Sequence, residues 1–130
     1  MASEIYFGNA AADGEKSGSW ILGNFLGKYL DDQNSPRITG GVEIKWGVHK
    51  AGILRSVWSL QKTESTVVVL VRGKIRMQFP DKEYTLSKEG DYLIWGPNTP
   101  HKTNADEDCV VLTIRWPSVP GDSQELDKLP

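Results

Sequence analysis

Residues 66–79 read TVVVLVRGKIRMQF, and this stretch decides the fold class. Its first half is a near-continuous β-branched run. Branching at Cβ restricts χ1 and packs well on a pleated surface, so the run belongs in the core of a sheet. Gly73 ends it, and KIRMQF then alternates, with Ile75, Met77 and Phe79 opposing Lys74, Arg76 and Gln78. A period of two is that of a strand.

The same period extends outward from this core. Upstream, GVEIKWGVHK (41–50) sets Val42, Ile44, Trp46 and Val48 against Glu43, Lys45, Gly47 and His49, which predicts a half-buried strand. ILRSVWSLQ (53–61) predicts another. Downstream, PDKEY is a turn, YTLSKEGDYLIWG (84–96) gives two short strands around Lys88 to Gly90, and CVVLTIRW (109–116) is a last strand closed by Pro117. Many short strands between Gly, Pro and Asp turns, with little helix, predict an all-β sandwich or barrel. At the N-terminus, residues 8–19 have no apolar periodicity and read as an irregular arm. Residues 20–30, WILGNFLGKYL, put Ile21, Phe25 and Tyr29 on one helical line, a short helix weakened by Gly23 and Gly27. The expected organisation is an arm and short helix over 1–40, the barrel over 41–118 and a polar tail over 119–130.

A chain of 130 residues suits one hydrophobic core. Fifteen Lys and Arg against 17 Asp and Glu give a net charge of −2, so no basic field is available to bind nucleic acid. The single cysteine, Cys109, excludes an intrachain disulfide and a cysteine-based zinc cluster, and suits a reducing cytoplasm. No apolar run approaches the ~20 residues of a membrane span, and the first residues lack a signal-peptide pattern. A cytoplasmic, soluble protein is expected.

Residues 90–104, GDYLIWGPNTPHKTN, resemble the second motif of the cupin superfamily, G-x5-P-x-G-x2-H-x3-N. Gly90-Asp91 supplies its opening and His101 its histidine. Gly96 and Asn98 replace the motif's proline and glycine, and Asn104 falls one place early. Residues 66–73 look like the end of the first motif. The resemblance covers 52–116 and, with the ending TIRWPS, is to small single-domain bacterial cupins. It implies a double-stranded β-helix, or jelly-roll, barrel. Metal-binding cupins use H-x-H, a following glutamate and the second-motif histidine. Counted back from Gly73, the glutamate position is Thr66, and the histidine pair falls on Ser59 and Gln61 or on Leu60 and Lys62. Counted from Gly52, the positions are Trp58, Leu60 and Glu64. His101 is then the sole inherited ligand, and one imidazole does not hold a divalent ion. No metal or other cofactor is expected.

Several side chains are candidates for a site. His101 is expected to line a pocket and is the candidate catalytic residue. Trp58, Gln61, Thr66 and Trp95 are expected to bind ligand with it, the indoles as walls and the polar groups as hydrogen-bonding partners. Trp46, Trp58, Trp95 and Trp116 all fall on predicted strands. His49, beside Lys45 and Glu43, reads as part of a solvated face, and Glu64 as a solvated loop carboxylate. Arg55, Arg76 and Arg115 are of interest because an inward arginine would select a carboxylate or phosphate. Carboxylates around Cys109 disfavour a thiolate nucleophile. No G-x-S-x-G elbow, P-loop or dinucleotide fingerprint is present.

The reading that follows is a metal-free cupin binding a small organic ligand. Its competitors are an isomerase, epimerase or lyase using His101 as general acid or base, a metal-dependent dioxygenase or isomerase with His101, Gln61 and His49 as atypical ligands, and an interaction module with a solid barrel. Apolar strands and open sheet edges lead us to expect a homodimer.

Overall fold

The structure is a computed structural model and describes residues 5–54 and 56–130. Among them are a helix α1 (Ala10–Lys16), a 3-10 helix (Asn24–Lys28) and eleven strands. The strands are β1 (Trp20–Leu22), β2 (Glu43–His49), β3 (Ile53–Leu54), β4 (Trp58–Gln61), β5 (Ser65–Arg72) and β6 (Ile75–Phe79). They continue as β7 (Lys82–Leu86), β8 (Tyr92–Trp95), β9 (Lys102–Ala105), β10 (Cys109–Trp116) and β11 (Ser123–Leu126). One sheet has the order β1-β2-β10-β5-β8, and a second the order β3-β9-β6-β7. A ribbon of β11 and β4 joins the second sheet through the bridge between Ser59 and His101. No helix among the described residues is long and apolar enough to cross a membrane.

The stretch that decides the fold is β5, a turn and β6. Gly73 at the turn has φ +91, and a Cβ there would collide with the Asp108 carbonyl oxygen. Only glycine lets this turn lie against the start of β10. Val68, Leu70, Ile75, Met77, Leu86 and Val111 form the core between the two sheets, with Phe79 and Leu93 against it.

Three local expectations change. Residues 10–16 form a helix where no periodicity is visible, because the Asn9 side chain accepts from the Ala12 N–H at 3.0 Å and caps the turn. Trp20–Leu22 is a strand, since Gly23 at φ +138 ends any helix that could include it and the backbone pairs with Ile44 and Lys45 of β2. The segment 119–130 carries β11, which pairs residue by residue with β4.

The sidedness of β2 is the larger surprise. Its polar set points inward: Glu43 is 1% exposed and Gly47 is buried, whereas Val48 is 57% exposed. Register across the large sheet explains this. Glu43, Arg115, Thr66 and Trp95 are direct cross-strand partners and share the inner face, followed by Lys45, Thr113, Val68 and Leu93. The outer face carries Ile44, Trp46, Leu112, Ile114, Val67, Val69, Ile94 and Tyr92.

Asp122 ties the C-terminal ribbon down. Its carboxylate accepts from the Thr63 N–H at 3.0 Å, the Thr63 hydroxyl at 2.7 Å and the Glu64 N–H at 2.9 Å. Burial alone would raise its pKa, but these donors together hold it below the ordinary value. Asp122→Ala is expected to cost about 2 to 3 kcal/mol in urea unfolding, as loss of hydrogen bonds to a charged acceptor does.

Candidate functional site

The barrel is hollow. Its interior holds a cavity of about 620 Å³, lined by both sheets and by residues 121–125 of the C-terminal ribbon. The solid-barrel expectation is therefore set aside.

β4 shows how strand period sorts the predicted residues. Ser59 and Gln61 line the cavity. Trp58 does not, because positions 58 and 61 are an odd step apart and face opposite ways. The Trp58 ring is instead covered by Lys102, whose Nζ lies 4.6 Å from its centroid. Gln61 Nε2 donates to the Ser123 hydroxyl at 3.0 Å, which ties β4 to β11 above the cavity. His101 lines the cavity from the start of β9, with its ring 4.8 Å from Trp95. Its Nδ1 is 3.0 Å from the Thr99 carbonyl, which can only accept, so Nδ1 carries a proton. Thr66 is fully buried beside Trp95 on the inner face. Gln61, Trp95 and His101 thus line one cavity, whereas Thr66 lies buried beside Trp95 without lining it and Trp58 is left out.

Other residues fall where their sequence reading did not place them. His49 lines the cavity rather than a solvated face, and so does Glu64, which is 1% exposed. Arg115 lines it too, whereas Arg76 is held at the surface by Asp106, with Nε 2.6 Å from the carboxylate. Arg55 lies outside the described residues. Trp20, assigned to a helix, lines the mouth and stacks on Phe25 with centroids 4.8 Å apart. Trp46 and Trp116 sit on strands but do not line the cavity. Cys109 is buried, and burial first, Asp108 second, pushes its thiol up, as expected of an unreactive cysteine.

Sequence reasoning missed the feature with the most unusual electrostatics. Glu43 and Glu64 adjoin each other in the cavity wall, and neither reaches solvent to any extent. The Val119 N–H donates to Glu64 Oε2 at 2.7 Å, and Arg115 Nη1 lies 3.7 Å from Glu43 Oε2. Burial, then the Glu64 carboxyl, pushes Glu43 up to about 8, against the pull of Ser118 and Arg115. Burial also lowers Arg115, with Glu43 and Glu64 partly restoring it. Two acceptors face one another, so the contact is satisfied only when one carboxyl keeps a proton. The signal in the sequence was a glutamate at an alternating strand position, but the strand's apolar set suggested that it faced outward.

The positions matched to cupin metal ligands can now be tested. Alternation selects Ser59 and Gln61 over Leu60 and Lys62, with buried Thr66 and His101 completing that set, while of the register counted from Gly52 only Glu64 lines the cavity. Two hydroxyls, an amide and one imidazole do not fit a divalent transition ion. No three His, Cys, Asp or Glu among the described residues converge as a metal-holding group either.

The fold places the chain among known structures. It is similar to an uncharacterized conserved protein with a double-stranded β-helix domain from Klebsiella pneumoniae, with TM-score 0.59 and 15% identity over 69% of this chain and 78% of that one. It is similar to the DMSP lyase DddQ from Ruegeria pomeroyi, with TM-score 0.61 and 14% identity over 69% of this chain. The match spans only 45% of the lyase. A cupin protein from Bacteroides fragilis gives TM-score 0.54 and 18% identity over 63% of this chain and 70% of that one. No family model and no curated protein matches the sequence. The chain has the double-stranded β-helix fold of the cupins, as the motif resemblance implied.

The raised pKa of Glu43 has a thermodynamic consequence. Between its ordinary value of 4.5 and about 8 the folded state holds a proton that the unfolded state has released. Its contribution to stability therefore falls as pH rises through that window and levels off above it. Glu43→Gln keeps the shape without the titration. Its melting temperature relative to wild type should rise from pH 5 to pH 9, as read by circular dichroism.

Proposed function

We propose that the chain binds a small organic molecule inside the barrel, without a metal. The observation that carries this reading is a set of buried polar atoms on the cavity's inner face with no hydrogen-bond partner among the described residues. They are Glu43 Oε1, Gln61 Oε1, Trp95 Nε1 and Arg115 Nε, all on residues that line the cavity. Each such group costs about 1 to 3 kcal/mol when left unsatisfied, so a wall that holds them is built for something that is not the protein itself. The set mixes donors and acceptors, which a ligand hydroxyl serves in both directions and a ligand carbonyl serves as acceptor. Trp95, Trp20 and Phe25 add apolar walls, a common composition for a small-molecule pocket. His101, held by Thr99, is the polar anchor.

A second reading is an enzyme of the isomerase, epimerase or lyase kind with His101 as general acid or base. It is favoured by the contact between Nδ1 and the Thr99 carbonyl, which orients the ring and sets its tautomer. The test of both begins with a small-molecule screen read by tryptophan emission on protein treated exhaustively with chelator. Ligands should bind the chelated protein, and His101→Ala should weaken them by about 1 to 3 kcal/mol while circular dichroism stays unchanged. Binding that needs an added transition metal, or that ignores the substitution, would overturn this reading.

The proposed partner besides the ligand is a second copy of the chain. Support comes from the outer face of the large sheet, where Tyr92 is 62% and Ile94 61% exposed beside Val67 and Val69. A contiguous apolar sheet face of this kind marks an association surface. Light scattering at micromolar concentration should return twice 14.5 kDa, and Ile94→Lys should halve it. The net charge of −2 gives nucleic acid no attraction, and one buried thiol is compatible with the cytoplasm as the compartment.

A further inference from the structure

We propose that Glu43 and Glu64 are an acid–base pair that moves protons on a hydroxy-carbonyl compound bound at the polar end of the cavity. The inference rests on the ligand-site reading above and assigns its chemistry to a carboxyl pair rather than to His101.

Both carboxyls line one cavity, with the Val119 N–H on Glu64 and Arg115 3.7 Å from Glu43. The two carboxyls come from different elements, β2 and the turn before β5, and are each 1% exposed. Arg115 from β10 is the cation beside them, with Asp122 ahead of β11 and Lys45 further along β2 also on the cavity wall. Two carboxylates in a site with little water and one adjacent guanidinium do not both ionise near neutrality, as other buried carboxyl pairs illustrate. The pair therefore holds one acid and one base at the same place. An independent observation supports a ligand there. Gln61 is 3% exposed, lines the same cavity, and its Oε1 has no partner among the described residues. On the row that carries Glu43, Arg115 Nε and Trp95 Nε1 are donors in the same condition. Donors for a carbonyl oxygen and an acceptor for a hydroxyl on the wall of one cavity fit a compound that carries both a carbonyl and a hydroxyl.

The step balances without an oxidant or a metal. The protonated carboxyl gives its proton to the carbonyl oxygen, and the carboxylate takes the proton of the hydroxyl-bearing carbon. The C–H electron pair becomes the C=C bond of an enediol, and the π pair of the carbonyl forms the new O–H bond. The pair holds one proton before and after. Reversal returns either the original compound or its carbonyl-shifted isomer, and in D2O it leaves deuterium on carbon.

The test uses dihydroxyacetone and D-glyceraldehyde as probes. Each is incubated in D2O with wild type, Glu43→Gln and Glu64→Gln, and deuterium on carbon is followed by NMR. Wild type should exchange the probes above the buffer rate, and either substitution should lower the rate by about 10²-fold. The enzymatic rate should fall as pH rises past about 8, where Glu43 loses its proton, while hydroxide-driven background rises. Circular dichroism checks that the variants fold; should they not, the wild-type pH profile decides alone. Equal rates in wild type and both folded variants, or no exchange above buffer, overturn the proposal. Tryptophan emission separates the two readings. Probe binding without exchange removes the acid–base pair and leaves the ligand site, whereas no binding by any compound of the screen removes the site itself.

Discussion

Glu43 sits where a strand of this composition would ordinarily place a hydrophobic residue. Its carboxyl is enclosed by Glu64, Arg115 and Ser118, and each of those is fixed by another part of the barrel. Ser118 receives the Asn24 N–H at 3.0 Å, Glu64 receives the Val119 N–H, and Asp122 holds the turn that carries Glu64. Gly23 allows the N-terminal segment to come this close, since a Cβ there would lie 2.8 Å from Glu43 Cβ. One buried ionisable group thus organises the N-terminal strand, the loop after β10 and the C-terminal ribbon around it.

A buried pair of this kind is a costly way to stabilise a fold. Apolar replacements of similar shape often do as well or better, so its presence is weak support for a structural role and stronger support for a chemical one. The cavity beside it points the same way. Gln61, Trp95 and Arg115, which carry orphaned polar atoms, all line it. The inner face divides accordingly. Near Gly73, Leu70, Ile75 and Val111 close the barrel with an apolar plug, and toward Glu43 the wall becomes polar. Apolar packing is concentrated at one end and buried polar groups at the other.

Departure from the metal-binding cupin pattern is consistent with this division. His101 keeps its place and its neighbour Trp95, while Ser59, Gln61 and Thr66 stand at the other ligand positions. These are hydrogen-bonding groups, suited to a ligand's own oxygens. The carboxyls of the cavity wall stand instead on β2 and in the turn before β5.

The sequence by itself determined the strand period, the glycine turn at Gly73, the cupin resemblance and the inward histidine, because these depend on local backbone preferences and on a contiguous motif. It also singled out Gln61 and Thr66 by counting back from Gly73, and Trp95 as an indole on a predicted strand. It could not say which face of β2 is inside. Alternation defines two faces, but only pairing with β10 and β5 reveals that the inner one borders a polar cavity and the outer one an exposed apolar surface. Trp58 was misplaced although the sequence spacing itself, an odd step from Gln61 along the strand, sets the two on opposite sides. Tertiary structure alone brought Glu43, Glu64 and Arg115 together from three separate strands and turns. Their unusual protonation arises from exclusion of water and mutual proximity, neither of which is written in any one segment.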